Sequence, residues 1–231
     1  MIQFHRHTEI DKVAWDLCIN QSAEASIYAQ SWYLDVVNPG WSALVKDDYT
    51  AIFPLTNRKK WGIKYLYQPA FTQQLGMFST EKTDERLLSA FLLAIPESYK
   101  LVEIQLNTEN SGSFIPSPFE AKEKITHHLN LAPTFDELKK NISENTKRNI
   151  KLFEKSDHGI NNNGNPEELV HLFRENRGKD VSQLTEHDYT IFLEICQAAK
   201  VRNLLNCIQV RNSDDKLIAG AIFLKTHSGY I

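Results

Sequence analysis

The order of predicted helices and strands constrains the fold of this chain more than any other feature of its sequence. Segments with helical apolar periodicity come first, such as "SIYAQSWYLDVV", which ends at an Asn, a Pro and a Gly. Runs rich in β-branched and aromatic residues follow, such as "WSALVK" and "YTAIFPL", joined by a turn at Asp47 and Asp48. The same order, helices and then a meander of strands, returns after residue 132. This succession predicts an α/β chain with mixed sheets and two domains.

The two predicted domains cover residues 1–131 and 132–231. In the first, "IQF" is predicted as a strand, "TEIDKVAWDLCIN" as a helix, and "TDERLLSAFLLAI" as a helix with Thr83 at its N-cap. "SGSFIPSPFEAKEKITHHLNL" is predicted to add two short strands around a Pro-containing loop. In the second domain, residues 135–155 are predicted as helical, and a break near Ser143 is left open. Each domain should therefore place helices beside a sheet.

The charge balance limits the partners of this chain. Its 231 residues include 26 Lys and Arg against 29 Asp and Glu, which gives a formal net charge of −3. No overall field attracts such a chain to DNA or to an anionic membrane, so any anion site must be local. No apolar leader opens the sequence, and no window contains the roughly 18 apolar residues of a membrane span. We therefore predict a cytoplasmic protein with no membrane span and no DNA partner.

Residues that could bind a metal are few. Cys18, Cys196 and Cys207 are odd in number and lack the spacing of metal or redox motifs, so we predict free, buried thiols. His5 and His7 alternate on the predicted first strand and would face one side. No third ligand is evident, and no metal site is predicted.

A basic stripe is the first candidate for ligand binding. If residues 135–155 form one helix, its cations lie opposite an apolar side, and Glu144 is the only acid clearly inside the stripe. Few ion pairs between neighbouring turns therefore balance the charge. Lys with Arg suits phosphate or carboxylate, and a solvated helix face is the alternative. The stripe consists of Lys140, Lys147 and Lys151, and it is flanked by Arg148 and Lys155.

A second candidate follows a predicted strand, in "YQPAFTQQLGMFS". Its hydrogen-bonding side chains are Tyr67, Gln68, Gln73 and Gln74. Structural amides are the alternative interpretation of this group. The run "INNNGN" is explained by a tight turn, with an anion-binding nest as the alternative. The sequence contains no P-loop, G-x-G-x-x-G or G-x-S-x-G motif.

The repeated element order, together with "AQSWYLDV", "YQPAFTQQLG", "NTKRNIKLFEK" and "KLIAGAIFL", resembles the Fem-type branch of the GNAT-like acyltransferases. The resemblance covers nearly the whole chain and implies two GNAT-like domains, the second incomplete. It implies transfer of an acyl or aminoacyl group from acyl-CoA or aminoacyl-tRNA to an amine, including muropeptide-like acceptors of cell-wall precursor metabolism. The basic stripe matches the family's basic segment between the domains. The predicted substrate-binding residues are Lys147, Arg148, Lys151, Tyr67, Gln73 and Gln74.

Two departures from the family pattern change what we expect. Cross-bridge enzymes of the family carry a muropeptide-contacting Lys shortly after a Gln-Ser element, but no Lys follows Gln30 and Ser31 before Lys46. The sequence ends at Ile231, where a GNAT domain would begin its central strand and its phosphate-binding loop. We therefore expect either a longer natural protein or a degenerate second domain, and no transferase activity from this chain alone. The strand edge of "IAGAIFL" should either self-associate or fray.

Two function hypotheses remain at this point. In the first, the protein is an N-acyltransferase in which an amine attacks a thioester or aminoacyl ester without a covalent enzyme intermediate. The sequence identifies no general base for that reaction. In the second, the chain is a non-catalytic module that binds an anionic ligand, RNA or a partner protein through the basic stripe. A steep salt dependence of binding without turnover would favour the second.

Overall fold

The computed structural model describes residues 1–23, 25–82, 85–110, 114–181, 184–226, 229 and 231. Thr83, the predicted N-cap, lies outside these ranges. Within them the chain is of mixed α/β class, with seven α-helices and three antiparallel or mixed sheets. The predicted fold class is therefore confirmed, and its assignment to GNAT-like lobes stays a prediction.

The described part of the chain contains ten β-strands and seven α-helices. The strands are β1 (Ile2–His5), β2 (Ser42–Lys46), β3 (Ala51–Leu55), β4 (Asn57–Lys60), β5 (Ile63–Leu66), β6 (Phe78–Ser79), β7 (Tyr99–Val102), β8 (Gly159–Asn161), β9 (Leu205–Arg211) and β10 (Leu217–Leu224). The helices are α1 (Lys12–Gln21), α2 (Ser31–Val37), α3 (Glu85–Leu93), α4 (Phe135–Lys140), α5 (Glu144–Glu154), α6 (Pro166–Glu175) and α7 (Glu186–Val201).

Contacts divide the chain into two compact units. The first consists mainly of Met1–Ala121 and Glu186–Asn203, and the second mainly of Lys122–Thr185 and Leu204–Lys225. The predicted domains were continuous ranges, whereas this division places α7 with the first unit. There α7 packs against α2, and the ring of its Phe192 lies 4.9 Å from that of Phe71.

The core of the first unit is built on both faces of an antiparallel sheet in the order β1-β2-β3-β6. Ala43 and Val45 of β2 pack with buried residues of α1 and α2, while Leu44 packs with those of α3. A strand covered on both faces reads as a continuous apolar run, which is why β2 and β3 could be predicted from sequence. The turn between them has positive φ angles of 35° at Asp47 and 48° at Asp48.

A smaller sheet of the first unit has the order β4-β5-β7. β4 and β5 form an antiparallel hairpin, and β7 runs parallel to β5. The two residues of the hairpin turn both have positive φ, 50° at Trp61 and 83° at Gly62, as a type I′ turn requires. β4 was not predicted, because "NRKK" carries no apolar alternation.

The second unit contains the antiparallel sheet β10-β9-β8, with α6 packed on one face. Asn165 caps α6 by accepting a hydrogen bond from the backbone N–H of Glu167 (2.9 Å), and Pro166 occupies the first turn as predicted. The buried amide of Gln209 on β9 donates to the carbonyl of Asn165 (3.0 Å). The start of α6 is thereby tied to the central strand.

One sequence prediction is corrected, and one that was left open is resolved. The described part of the stretch predicted as two short strands, residues 114–131, contains no strand. Ile115 and Phe119 pack against the core of the first unit without joining a sheet, whereas Ile125 and Leu129 are exposed. Residues 135–155 form two helices rather than one, because Ser143 caps a new helix by accepting from the backbone N–H of Thr146 (3.2 Å).

The three cysteines are free and buried, as predicted. Burial raises the pKa of Cys18 to about 11, so its thiol is protonated and unreactive at neutral pH. Among the helices of the described part, none combines the length and the apolar character that a membrane crossing needs.

Candidate functional site

A cavity of about 540 Å³ opens in the first unit, where the end of β1 meets the sheet of β4, β5 and β7. His7 begins a 3-10 helix, His7–Glu9, one residue after the end of β1, and this position places His7 among the residues that line the cavity. Tyr99 and Lys64 are paired across β7 and β5, so their side chains share the face that borders the cavity. The described lining residues are Phe4, Arg6, His7, Thr8, Gly40, Ser42, Asn57, Lys64, Pro96, Ser98 and Tyr99.

His7 is held in place by a carboxylate. Its Nε2 atom lies 2.8 Å from Oδ1 of Asp35, a residue of α2. The same carboxylate accepts from Lys12 Nζ (2.7 Å) and from the indole Nε1 of buried Trp41 (3.0 Å). The Trp41 ring also meets the imidazole edge to face, with 5.9 Å between the ring centroids. The imidazole is therefore fixed both by a hydrogen bond and by packing.

The charge state of Asp35 fixes the tautomer of His7. Burial alone would raise the pKa of this carboxyl, but hydrogen bonds from Lys12, His7 and Trp41 outweigh burial and hold the pKa below its usual range. An ionised carboxylate can only accept, so Nε2 of His7 must carry the proton. In the neutral ring Nδ1 then has a free lone pair, and no described residue hydrogen-bonds to it. Such a His can act as a general base.

The polar groups around His7 suit an anionic ligand. Arg6 and Lys64 supply two positive charges, and none of the described lining residues carries a carboxylate. Burial raises the pKa of Tyr99, partly offset by a hydrogen bond with Ser42, so its phenol stays protonated and can donate. The cavity thus combines a base, a hydroxyl donor and two cations. That set can bind an anion, take a proton from a nucleophile and stabilise developing negative charge.

The predicted cluster after β5 makes several contacts that stabilise the first unit itself. The amide of Gln68 donates to the carbonyl of Thr72 (2.8 Å) and accepts from the backbone N–H of Gln105 (3.0 Å), which fixes the loop. Tyr67 receives a hydrogen bond from Asn38 (3.4 Å) and lies under the guanidinium of Arg58, 4.2 Å from the ring centre. Gln73 is exposed and Gln74 is half-buried. None of the three predicted binding residues is among the described residues lining the cavity.

The predicted basic stripe is divided and partly neutralised. Lys140 lies on α4 and the other cations on α5 and its C-cap. Lys147 forms an ion pair with Glu144 (2.7 Å), and Arg148 donates to the side chain of Asn145 (2.8 Å). Lys151 acts on Glu144 at longer range and, with Lys147, lowers the pKa of that carboxyl. Substrate binding by Lys147, Arg148 and Lys151 stays a prediction.

The expectation that His5 and His7 share one face is wrong. β1 ends at His5, and the chain turns into the 3-10 helix before His7. The His5 ring lies 6.3 Å from Tyr49, whereas His7 bonds Asp35. Within the described ranges, no group of three or more His, Cys, Asp or Glu side chains is placed to hold a metal.

Sequence reasoning missed the residues that form this cavity. His7 and Asp35 are 28 positions apart, and nothing in their local spacing marks them as partners. Only the pairing of β1 with β2 brings the start of the chain beside the end of α2. Comparison with known proteins adds nothing to these residues, because no family model, curated protein or solved structure matches the chain.

Proposed function

We propose that this protein transfers an acyl or aminoacyl group from an anionic donor to an amine, with His7 as general base. The observation that carries the proposal is the His7–Asp35 pair on the wall of a cavity with two cations. The resemblance to Fem-type acyltransferases supplies the reaction class, and it rests on sequence patterns alone.

Four lining residues and Asp35 have defined tasks in this reaction. Nδ1 of His7 accepts a proton from the attacking amine, while Asp35 stabilises the imidazolium that forms. Arg6 and Lys64 bind the phosphate groups of an acyl-CoA or aminoacyl-tRNA donor. The Tyr99 hydroxyl donates a hydrogen bond to the carbonyl oxygen or to the leaving group as negative charge develops there. No covalent intermediate with the protein is required.

This arrangement bears on the expected inactivity of the 231-residue chain. The cavity lies entirely within the first unit, so its residues do not depend on a complete second domain. We therefore expect turnover from this chain, contrary to the expectation drawn from sequence. The turnover assay decides between the two.

The test incubates the chain with labelled acyl-CoA or aminoacyl-tRNA and a panel of amines that includes muropeptide-like acceptors. His7→Gln should lower kcat by about 100- to 10,000-fold and remove the acid limb of the pH profile. His5→Gln is the matched control, because His5 lies two residues away and is not among the described lining residues. Equal turnover by His7→Gln and the parent would refute the role of His7.

The second candidate function is a non-catalytic module that binds an anion, and the two cations of the same cavity favour it. In that case the parent would bind acyl-CoA without turnover. Lys64→Gln would weaken binding at least about tenfold, since hydrogen bonds to charged groups contribute about 1.5–3 kcal/mol. His7→Gln would leave the affinity unchanged.

A further inference from the structure

The β4–β5 hairpin and the neighbouring β7 concentrate positive charge, of which the cavity accounts only for Lys64. Five cations lie on the hairpin and its neighbour β7, namely Arg58, Lys59, Lys60, Lys64 and Lys100. Within the described part of the chain, none of the five forms an ion pair. Lys59 and Lys64 even face each other directly across the hairpin, a like-charge pairing that lowers sheet stability.

Exposed apolar side chains accompany these charges. Trp61 at the tip is 88% exposed, Ile63 beside it 52% and Leu101 on β7 60%. Register places Ile63 opposite Lys60, and Tyr65 between Arg58 and Leu101. One face of the small sheet therefore carries apolar and cationic side chains together. We call this face and its Trp61 tip the hairpin surface.

The backbone conformation at position 61 does not favour Trp, so the stability of the turn does not explain why Trp61 occupies it. A type I′ turn needs positive φ at both central residues, and Asn-Gly is the sequence that adopts it most readily. Trp61 has φ of 50°, a region that bulky side chains rarely occupy. The chain therefore keeps a large exposed aromatic residue where a small polar one would fit the backbone better.

We propose that the hairpin surface docks on an anionic lipid bilayer, with Trp61 and Ile63 at the headgroup boundary and the cations against lipid phosphates. Trp favours that boundary, and each basic residue near an anionic surface adds to attraction. Charge complementarity is local here, since the whole chain carries a net charge of −3. The proposal is independent of the proposed function.

Bilayer docking fits the surface better than nucleic acid does. Stacking of bases on aromatic faces would compete with Lys60, which lies over the Trp61 ring at 4.7 Å, and with Arg58, which lies over the Tyr67 ring at 4.2 Å. Ile63 and Leu101 are aliphatic and offer bases no stacking surface. Protection of an edge strand would explain the cations of β4, but not the exposed Trp61, Ile63 and Leu101.

The experiment measures sedimentation of the full chain with phosphatidylcholine vesicles, with and without phosphatidylglycerol. The parent should bind only the anionic vesicles, and about 1 M salt, where the screening length is about 3 Å, should release it. The double variant Arg58→Gln, Lys60→Gln removes the two cations that share the face of Ile63 and Leu101, and should bind about 25-fold more weakly, at about fivefold for each cation. Lys64 is left unchanged because it lines the cavity.

Two further variants keep the result interpretable. Trp61→Asn creates the favoured Asn-Gly turn, so a loss of at least about tenfold in binding cannot come from misfolding. The control Lys140→Gln, Lys151→Gln removes the same charge from α4 and α5 and should bind as the parent does. The proposal is overturned if the parent does not bind anionic vesicles, or if the control loses as much vesicle binding as the hairpin variant does. It is also overturned if the hairpin cations instead bind a single-stranded RNA oligonucleotide.

Discussion

At the scale of residues, Asp35 organises the candidate site. It receives hydrogen bonds from three different parts of the first unit: Lys12 at the start of α1, His7 after β1 and Trp41 after α2. Because two of these donors are or can become cationic, the carboxylate is favoured over the carboxylic acid. The contribution of Asp35 to the free energy of unfolding must therefore depend on pH.

We predict that Asp35→Asn lowers the free energy of unfolding at pH 7 by about 1 kcal/mol, a value kept small because solvent screens partly exposed pairs. The pKa of Asp35 is lower in the folded protein than in the unfolded chain, so its stabilisation is complete above the unfolded pKa of about 3.9. It is lost as pH falls through the folded pKa. Urea unfolding followed by Trp fluorescence between neutral and acidic pH should show the parent and variant curves converging.

Asp48→Asn is the matched control for this series, because Asp48 forms no ion pair with any residue in the described ranges. The difference in free energy of unfolding between Asp48→Asn and the parent should not shrink with falling pH as it does for Asp35→Asn. A constant gap between Asp35→Asn and the parent down to strongly acidic pH would contradict the prediction.

At the scale of elements, the sequence correctly predicted mainly those strands whose side chains are buried and those helices that are capped. The β2–β3 hairpin and α6 were predicted because buried strands and capped helices leave strong local patterns. β4 was missed because its sequence, NRKK, is polar and carries no apolar alternation. The pairing of His7 with Asp35 depends on tertiary structure and has no sequence signal. The apolar residues of 114–131 misled the prediction because they do not pair with any strand: Ile115 and Phe119 pack on the core from a loop, and Ile125 and Leu129 are exposed.

The contact of α6 with β10 provides an element-scale prediction. A side chain at Gly220 would collide with Leu169 of α6, and its Cβ would lie 2.6 Å from the backbone oxygen of Ile208. Gly220→Ala should therefore destabilise the second unit by about 1–3 kcal/mol through overpacking. All four Trp residues lie in the first unit, so far-UV circular dichroism is the suitable probe of unfolding.

Gly159→Ala provides the matched control, since it makes the same change in the same sheet. No atom lies within 4 Å of a Cβ built there, and its φ is not positive. Its stability should equal or slightly exceed that of the parent, because Ala reduces the freedom of the unfolded chain. Equal effects of the two substitutions would show that the α6–β10 contact adapts to the added methyl group.

At the scale of the whole molecule, the sheet of the second unit has one face covered by α6 and one open face. Residues paired across the strands share a side, so the register assigns the open face. Ile160 is 57% exposed and Phe223 38% exposed on it. The open face consists of Ile160, Asn206, Ile208, Val210, Ala219, Ala221 and Phe223.

β10 also lies at the edge of this sheet, as the predicted self-association requires. Ile231 exchanges two backbone hydrogen bonds with Leu224 on the outer side of β10, at 2.6 and 2.9 Å. This pairing shows that the outer side of β10 accepts an antiparallel partner. Alternation along the strand directs the N–H and C=O groups of Gly220 and Ile222 to the same side.

We therefore predict concentration-dependent self-association through the open face and outer edge of β10, because exposed apolar strands at a sheet edge pair with other chains. Ala221→Lys places a charge at the centre of the open face, opposite Ile208, and should shift sedimentation-velocity profiles to the monomer at every concentration. Ser213→Lys adds the same charge at the exposed β9–β10 turn and should associate as the parent does. A parent that stays monomeric throughout, or association that survives Ala221→Lys, would show that this surface does not join two copies of the chain.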